Sequence, residues 1–377
     1  MSGAWIIAAR RTPVVPRHGA FRRLGVEALA APVLRIILRD SGIVGSEVDE
    51  IILGNALYGG GNPARLAALA AGIPETTPAI TLDTQCCSGL DAIAAAADRI
   101  ASGACDTVLA GGVESYSRSP LRFTRPLQPG EAAKEYQRPP FTPWSDRDPD
   151  MIEAAVFLAQ ELGITREAQE TFAIEGHHKA MQAQNNLRSE IVPLEDVSAD
   201  AFARRLSKAA CARLPAISGQ GVYAATAATV AVEADAAAVV LVVSDKKLAA
   251  LKSTLQPIRI AGSIRVGGDP VRPGLLTTAA AQALLARQGI DASQISVAEI
   301  MEAFAAQAMA SIAALGLDPA CVNRGGGALS RGHPIGASGA ILAVRLFHEL
   351  SKERGGFGLA TIAAAGGLGS ALLMEAR

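Results

Sequence analysis

Short apolar runs rich in Ile, Leu, Val and Ala recur along the first part of the chain, at Trp5 to Ala9, Glu50 to Asn55, Ala79 to Thr84 and Thr107 to Val113, each of a length that suits a buried strand. Between them, Gly25 to Asp40 and Leu90 to Ala101 carry apolar residues at the three-to-four spacing of a helix face. This alternation predicts an α/β fold of closely packed layers. After Gly112 the pattern dissolves into SRSPLRFTRPLQPGEAAKEYQRPPFTPWSDRDPD, rich in Pro, Arg and aromatics and without a period, which reads as an inserted loop region beside a pocket. Helical spacing returns over Met151 to Gly163 and Arg166 to Asn185, followed by a polar connection and a strand over Ala236 to Val243.

A weak internal repeat links the two ends of the chain. EVDEIILGNA resembles ISVAEIMEAF, and ACDTVLAGGVESYS resembles GFGLATIAAAGGLGSALLME. Between these landmarks lie DTQCCSGLDAIAAAADRI in one half and NRGGGALSRGHPIGASGAILAVRLFHEL in the other. Each sets a cysteine or histidine just before a small-residue turn that opens a long helix, so two facing copies of one fold bring those helix starts together. The expected organisation is an N-terminal half over 1–115 and 225–252, an insert over 116–224, and a C-terminal half over 253–377.

Composition narrows the function. A chain of 377 residues, half of them apolar, buries a large multi-lobed core. Its net charge of −1 and lack of any basic run argue against a nucleic-acid groove or a membrane-surface helix, leaving small molecules or copies of the chain as partners. Five cysteines without CxxC spacing fit reduced thiols and predict no metal site. No apolar run reaches about 18 residues, and the N-terminal apolar strand precedes its arginines, the reverse of a secretory signal. A cytoplasmic location is therefore expected.

Two positions carry candidate chemistry. Cys86 and Cys87 sit at the start of a helix, whose unpaired amides stabilise a thiolate and lower a cysteine pKa; the competing reading is that both are buried small hydrophobes. His333, in SRGHPIGASG, has Pro334 stiffening the chain after it and small residues leaving room for the ring, so a neutral imidazole there can accept a thiol proton. A turn histidine bonded to backbone is the alternative. His18, His177, His178 and His348 lack such a setting and read as structural or solvated.

Taken together these residues resemble the thiolase family over nearly the whole chain. The resemblance rests on RTPVVPRHGAFRRL, EIILGNALYGGGNPARLAALAAGIP, DTQCCSGL, GGVESYSRSP, DMIEAAVFLAQELGITREAQETFAIEGHHKA, SEIVPL and NRGGGALSRGHPIGASG, in that order. It implies two similar βαβαβαββ halves in an αβαβα layered arrangement with an inserted loop domain, assembled as a homodimer or dimer of dimers. It also implies an acyl thioester of coenzyme A as substrate, with no further cofactor. The C-x-S-G-L pattern of the family puts the acyl-accepting nucleophile on Cys86 and leaves Cys87 pointing elsewhere, and the histidine that activates it falls on His333.

Several positions depart from that pattern. Ala363, in TIAAAGGLGS, stands where the family's second cysteine moves the α-proton, and a methyl group carries no proton. Met301 replaces the asparagine that holds a water in one oxyanion site, and a thioether donates nothing. Ala231 and Val232 replace the Ser-Gly that lies against the pantetheine arm. Arg204, Arg205, Lys208 and Arg213 read as an exposed basic helix face, with contact to coenzyme phosphates as the alternative. The amides of Cys86 and Ala365, the latter presented by Gly366, Gly367 and Gly369, remain as main-chain oxyanion donors. Two functions follow: an acyltransferase that loads Cys86 but has an altered second half-reaction, or a catalytically silent thiolase-like binding or partner subunit.

Overall fold

In the chain's computed structural model, residues 2–251 and 256–377 are described; the expected junction at 252–253 lies outside them. The N-terminal half runs β1 (Ala4–Arg11), β2 (Val15–Pro16), α1 (Val26–Ser41), β3 (Glu50–Gly54), α2 (Pro63–Ala70), β4 (Ala79–Leu82), α3 (Ser88–Ala101) and β5 (Thr107–Ser115). Residues 116–224 then carry α4 (Met151–Glu161), α5 (Arg166–Leu187), α6 (Lys208–Cys211) and β6 (Ala216–Ser218), followed by β7 (Ala225–Thr226). The chain returns through β8 (Ala234–Ser244) and α7 (Asp245–Ala250). The C-terminal half follows as β9 (Ile258–Gly267), α8 (Leu276–Gln288), β10 (Ile295–Ile300), α9 (Ala305–Leu315), α10 (Ala328–Arg331), α11 (Ile335–Leu350), β11 (Gly356–Ala364) and β12 (Leu368–Ala376).

Strand order reveals the duplication. The sheet runs β10-β11-β12-β9-β1-β8-β5-β3-β4, so β9-β12-β11-β10 repeats the order of β1-β8-β5-β3. In each half the last two of those strands pair in parallel and the others antiparallel. The halves meet where β1 pairs β9 through Trp5 with Arg259 and Ile6 with Ile258.

Side-chain parity sorts the strands into layers. Along β8, Ala236, Ala238, Val240 and Val242 enter one core while Ala237, Val239, Leu241 and Val243 enter another, the period of two expected of a strand buried on both faces. The first core lies between the half-sheets and contains α3 and α11; the second packs α1 and α2 on the outer face of the N-terminal half. A third packs α8 on the outer face of the C-terminal half. This is the αβαβα layering. All of α11 except Ile335 and His348 is buried, which suits its largely apolar sequence.

The two central helices touch through glycine. A side chain on Gly89 would begin 2.7 Å from the Ala340 amide nitrogen and 2.8 Å from the Gly336 carbonyl, and one on Gly339 would begin 2.5 Å from the Leu90 nitrogen. Backbone therefore packs on backbone at the N-terminal ends of α3 and α11. Farther along α11, buried Arg345 shares Glu190 with buried Arg11, which also grips Asp200 with both terminal nitrogens. Two charges out of water are costly unless paired and hydrogen-bonded, and these ion pairs tie the segment after α5 to β1 and α11 at once.

Two sequence expectations change. The exposed-looking helix face around His177 is covered: the ring is buried, with its Nδ1 3.4 Å from the Arg204 amide, and burial lowers its pKa to about 4, which selects the structural of the two readings. The basic helix face does not form, because α6 holds only Lys208 of the four residues, and Arg204 lies outside it with its guanidinium 4.1 Å from the Phe202 ring centre. Gly89→Ala is expected to cost about 1–3 kcal/mol through overpacking at the helix crossing, read as a lower urea midpoint; an unchanged midpoint contradicts the close approach.

Candidate active site

The turn between β4 and α3 is a single 3₁₀ turn, Gln85–Cys87, entered with Gln85 at φ 56°. A left-handed non-glycine residue costs about 1–3 kcal/mol and needs support; Asp83 supplies it by accepting from the Gln85 amide at 2.9 Å. Within this turn the two cysteines diverge. Cys87 is wholly buried in the central core with its Sγ 3.6 Å from the Ile362 carbonyl, whereas Cys86 stays partly exposed.

His333 reaches Cys86 from the other half. Its amide donates to the Val232 carbonyl at 2.7 Å, and its Nε2 lies 3.2 Å from Cys86 Sγ. On the opposite side of the ring, Nδ1 is 2.6 Å from Ser338 Oγ, whose hydroxyl donates to the Pro334 carbonyl at 3.0 Å. With the serine proton so placed, Nδ1–H donates to Ser338 and Nε2 presents its lone pair to the thiol. The hydrogen-bond network assigns this tautomer.

Burial sets the charge state of the pair. It pushes the Cys86 thiol up to about 12, with buried Glu114 adding to the rise and the nearby backbone amides of Cys86 and Ala365 acting in the opposite direction. It pulls His333 down to about 4. Loss of solvation opposes the thiolate stabilisation expected from the helix start and favours a neutral thiol beside a neutral imidazole.

The remaining sequence candidates surround this pair in different ways. Ala365 contributes its amide, held by a turn in which Gly366 and Gly367 adopt φ 79° and 76°. Met301 is buried with its amide on the Thr361 carbonyl, and with Ala363 it walls an apolar cavity beside the site. Val232 serves through its carbonyl, while Ala231 donates its amide to the Ala303 carbonyl. The aromatic stretch 123–144 is largely exposed and meets the site region at Phe141, whose carbonyl lies 3.0 Å from where a Gly366 side chain would start.

Sequence reasoning passed over Ser338 and Glu114. Ser338 lies five residues after His333, one turn into α11, a spacing that a search for a second ring partner finds. Glu114 ends an otherwise apolar strand and is buried; it accepts from the Gly336 amide at 2.9 Å and from Asn55 and Ala56, so it anchors the start of α11 to the N-terminal half. A carboxylate in the strand TVLAGGVES was the visible signal.

Fold and site together define a duplicated α/β protein that sets a cysteine beside a histidine where its two halves meet. Family models for the thiolase N-terminal domain and the thiolase C-terminal domain match residues 4–246 and 255–376. A putative acetyl-CoA C-acetyltransferase of Bacillus subtilis (strain 168) is 37% identical over 378 residues, covering 99% of both chains. One of Staphylococcus haemolyticus is 36% identical over 384 residues, covering 100% of this chain and 99% of that protein. Among solved structures, the Bacillus anthracis acetyl-CoA acetyltransferase superposes with a TM-score of 0.90 at 34% identity, covering 100% of this chain and 99% of the other. Human mitochondrial 3-ketoacyl-CoA thiolase in complex with CoA gives 0.92 at 27% identity, covering 100% and 98%. The chain belongs to the thiolase family.

A neutral resting pair makes alkylation follow the small thiolate fraction. Iodoacetamide labelling of Cys86, mapped by peptide mass spectrometry, is expected to be slow near neutral pH and to rise about tenfold per pH unit without a plateau up to about pH 9. A plateau near pH 7 contradicts the neutral pair.

Proposed function

We propose that the protein is an acyltransferase that forms an acyl-enzyme on Cys86 from an acyl thioester. The observation that carries this reading is the 3.2 Å approach of His333 Nε2 to Cys86 Sγ, with the backbone amides of Cys86 and Ala365 nearby. As Sγ bonds to the thioester carbon, the thiol proton passes to Nε2, and the carbonyl oxygen collects charge within reach of the Cys86 and Ala365 amides. Collapse breaks the bond to the leaving thiol, which takes the proton back from His333. A silent binding subunit has no use for a tautomer locked by Ser338, so this geometry favours chemistry.

The second half-reaction differs from ordinary Claisen chemistry. Ala363 cannot remove an α-proton, and Met301 cannot hold a water for an enolate oxygen. The acceptor therefore brings its own nucleophile: a decarboxylating malonyl-type unit, a hydroxyl, an amine or water. The partner set is the small-molecule thioester and a second copy of the chain, as homodimer or dimer of dimers. Support for self-assembly comes from edge strand β4, where Ile80 is 47% exposed, and from α2, which exposes Leu66 and Leu69.

Incubation with acetyl-CoA and longer acyl thioesters, followed by intact mass measurement, is expected to add one acyl group to the wild type and none to Cys86→Ala; absence of any adduct on the wild type removes the reading. Thiolysis of acetoacetyl-CoA is expected to be near background and to rise about 10²- to 10⁴-fold in Ala363→Cys, the usual worth of a positioned acid–base group. Robust wild-type thiolysis contradicts the altered second step.

A further inference from the structure

A set of buried charges behind the His333 turn has no part in the loading chemistry. Arg331 at the end of α10, Arg345 on α11 and Glu299 on β10 are all buried. Arg331 Nη1 donates to the Gly326 carbonyl at 2.7 Å, while its Nη2 stops 4.0 Å from Glu299 Oε2. Arg345 Nε stops 3.8 Å from Glu299 Oε1. Both separations exceed a hydrogen bond, so among the described residues neither Glu299 oxygen accepts one and Arg345 Nε donates none. The other carboxylates of the set are bonded directly: Glu190 and Asp200 hold Arg11, and Glu190 and Glu349 hold Arg345. His348 acts on Glu190 from α11, and β11, paired with β10, carries no titratable side chain. A buried carboxylate held only at a distance is costly when ionised. Burial accordingly raises Glu299 to about 7, opposed by Arg345 and Arg331 and aided by Glu349 and Glu190.

Arg331 lies two residues before His333, and the turn between them is tight: Gly332 has φ 116°, and a side chain on it would begin 2.8 Å from the Ala234 Cβ. Just past β10, Glu302 accepts from the Leu329 amide at 3.3 Å, so this end of the strand holds α10 at a second point. We infer that Glu299 is a positioning residue for His333 that acts through Arg331: as a carboxylate it draws the guanidinium, and with it the end of α10, toward β10, and as a neutral acid it lets that turn relax. Its consequence, which rests on the acyl-enzyme reading, is a Cys86–His333 contact that is better ordered once Glu299 has lost its proton. The sign follows from the charges. An ionised Glu299 attracts Arg331 across a gap that burial leaves little screened, and a protonated one does not, so the hold is present above about pH 7 and lost as pH falls through that value. His333 itself, lowered to about 4 by burial, stays neutral across this range, so a response of its ring near neutrality comes from a neighbour.

NMR of histidine-labelled protein tests this, with the His333 Cε1–H signal assigned by its loss in His333→Asn. In a titration across neutral pH that signal is expected to move with a midpoint of about 7 in the wild type, to stay fixed in Glu299→Gln and Arg331→Met, and to keep its movement in Arg331→Lys, which retains the charge. A wild-type signal that does not move overturns the inference, whether or not any variant folds. Movement that persists in Glu299→Gln belongs to Glu114, which burial also raises to about 7 and which accepts from the Gly336 amide, and overturns it too, as does movement that persists in Arg331→Met. The effect on chemistry is read as the rate of mass gain on Cys86 from an acyl thioester. Glu299→Gln is expected to match the wild type about one pH unit below the midpoint and to fall about tenfold behind it one unit above, within the effect of a small misplacement of a catalytic group; a rate ratio that does not change with pH overturns the positioning role. If no thioester acylates the wild type, the acyl-enzyme reading fails by itself and the His333 signal alone decides: loss of its movement in Glu299→Gln sustains the inference, and persistence overturns it.

Discussion

Everything at the site depends on two helices approaching closely enough for their backbones to touch. Gly89 and Gly339 leave no side chain at the crossing of α3 and α11, and Glu114 ties the first turn of α11 to the opposite half through the Gly336 amide. Cys86 precedes one helix and His333 the other, so the crossing fixes their separation. Any added carbon there acts on both residues at once, because protein interiors are close-packed and transmit displacement.

That same closeness decides the electrostatics. A helix start favours an anion, yet desolvation raises the Cys86 thiol and lowers the His333 imidazole, which favours the neutral pair. Ser338 holds the imidazole in the tautomer whose Nε2 lone pair faces the Cys86 thiol. Beyond them the polarity ends. Met301 and Ala363 line an apolar wall, and neither side chain carries a proton to exchange.

Much of the architecture could be read from the chain before any coordinates. Strands such as Thr107–Ser115 and helices such as Met151–Glu161 begin where their apolar periods begin, and the repeated EVDEIILGNA and ISVAEIMEAF segments contain β3 and β10, equivalent places in the two halves of the sheet. The divergence of Cys86 and Cys87 followed from the C-x-S-G-L pattern, and the structure gives its cause in the 3₁₀ turn that sends Cys87 into the core. Less legible were features that depend on what arrives from far along the chain. His177 looked solvated on a polar helix, but the loop carrying Phe202 and Arg204 covers it; the four basic residues failed to form one face because the helix is a single turn.

The sequence by itself determined the layers, the duplication and the residue types offered at each helix start, because periodicity and small-residue spacing are local properties of a chain. Tertiary structure alone decided the desolvation of Cys86 and the existence of the apolar cavity lined by Met301 and Ala363. Both depend on desolvation and on enclosure by segments remote in sequence, α4 from the insert and β11 from the last fifty residues, which no local pattern contains.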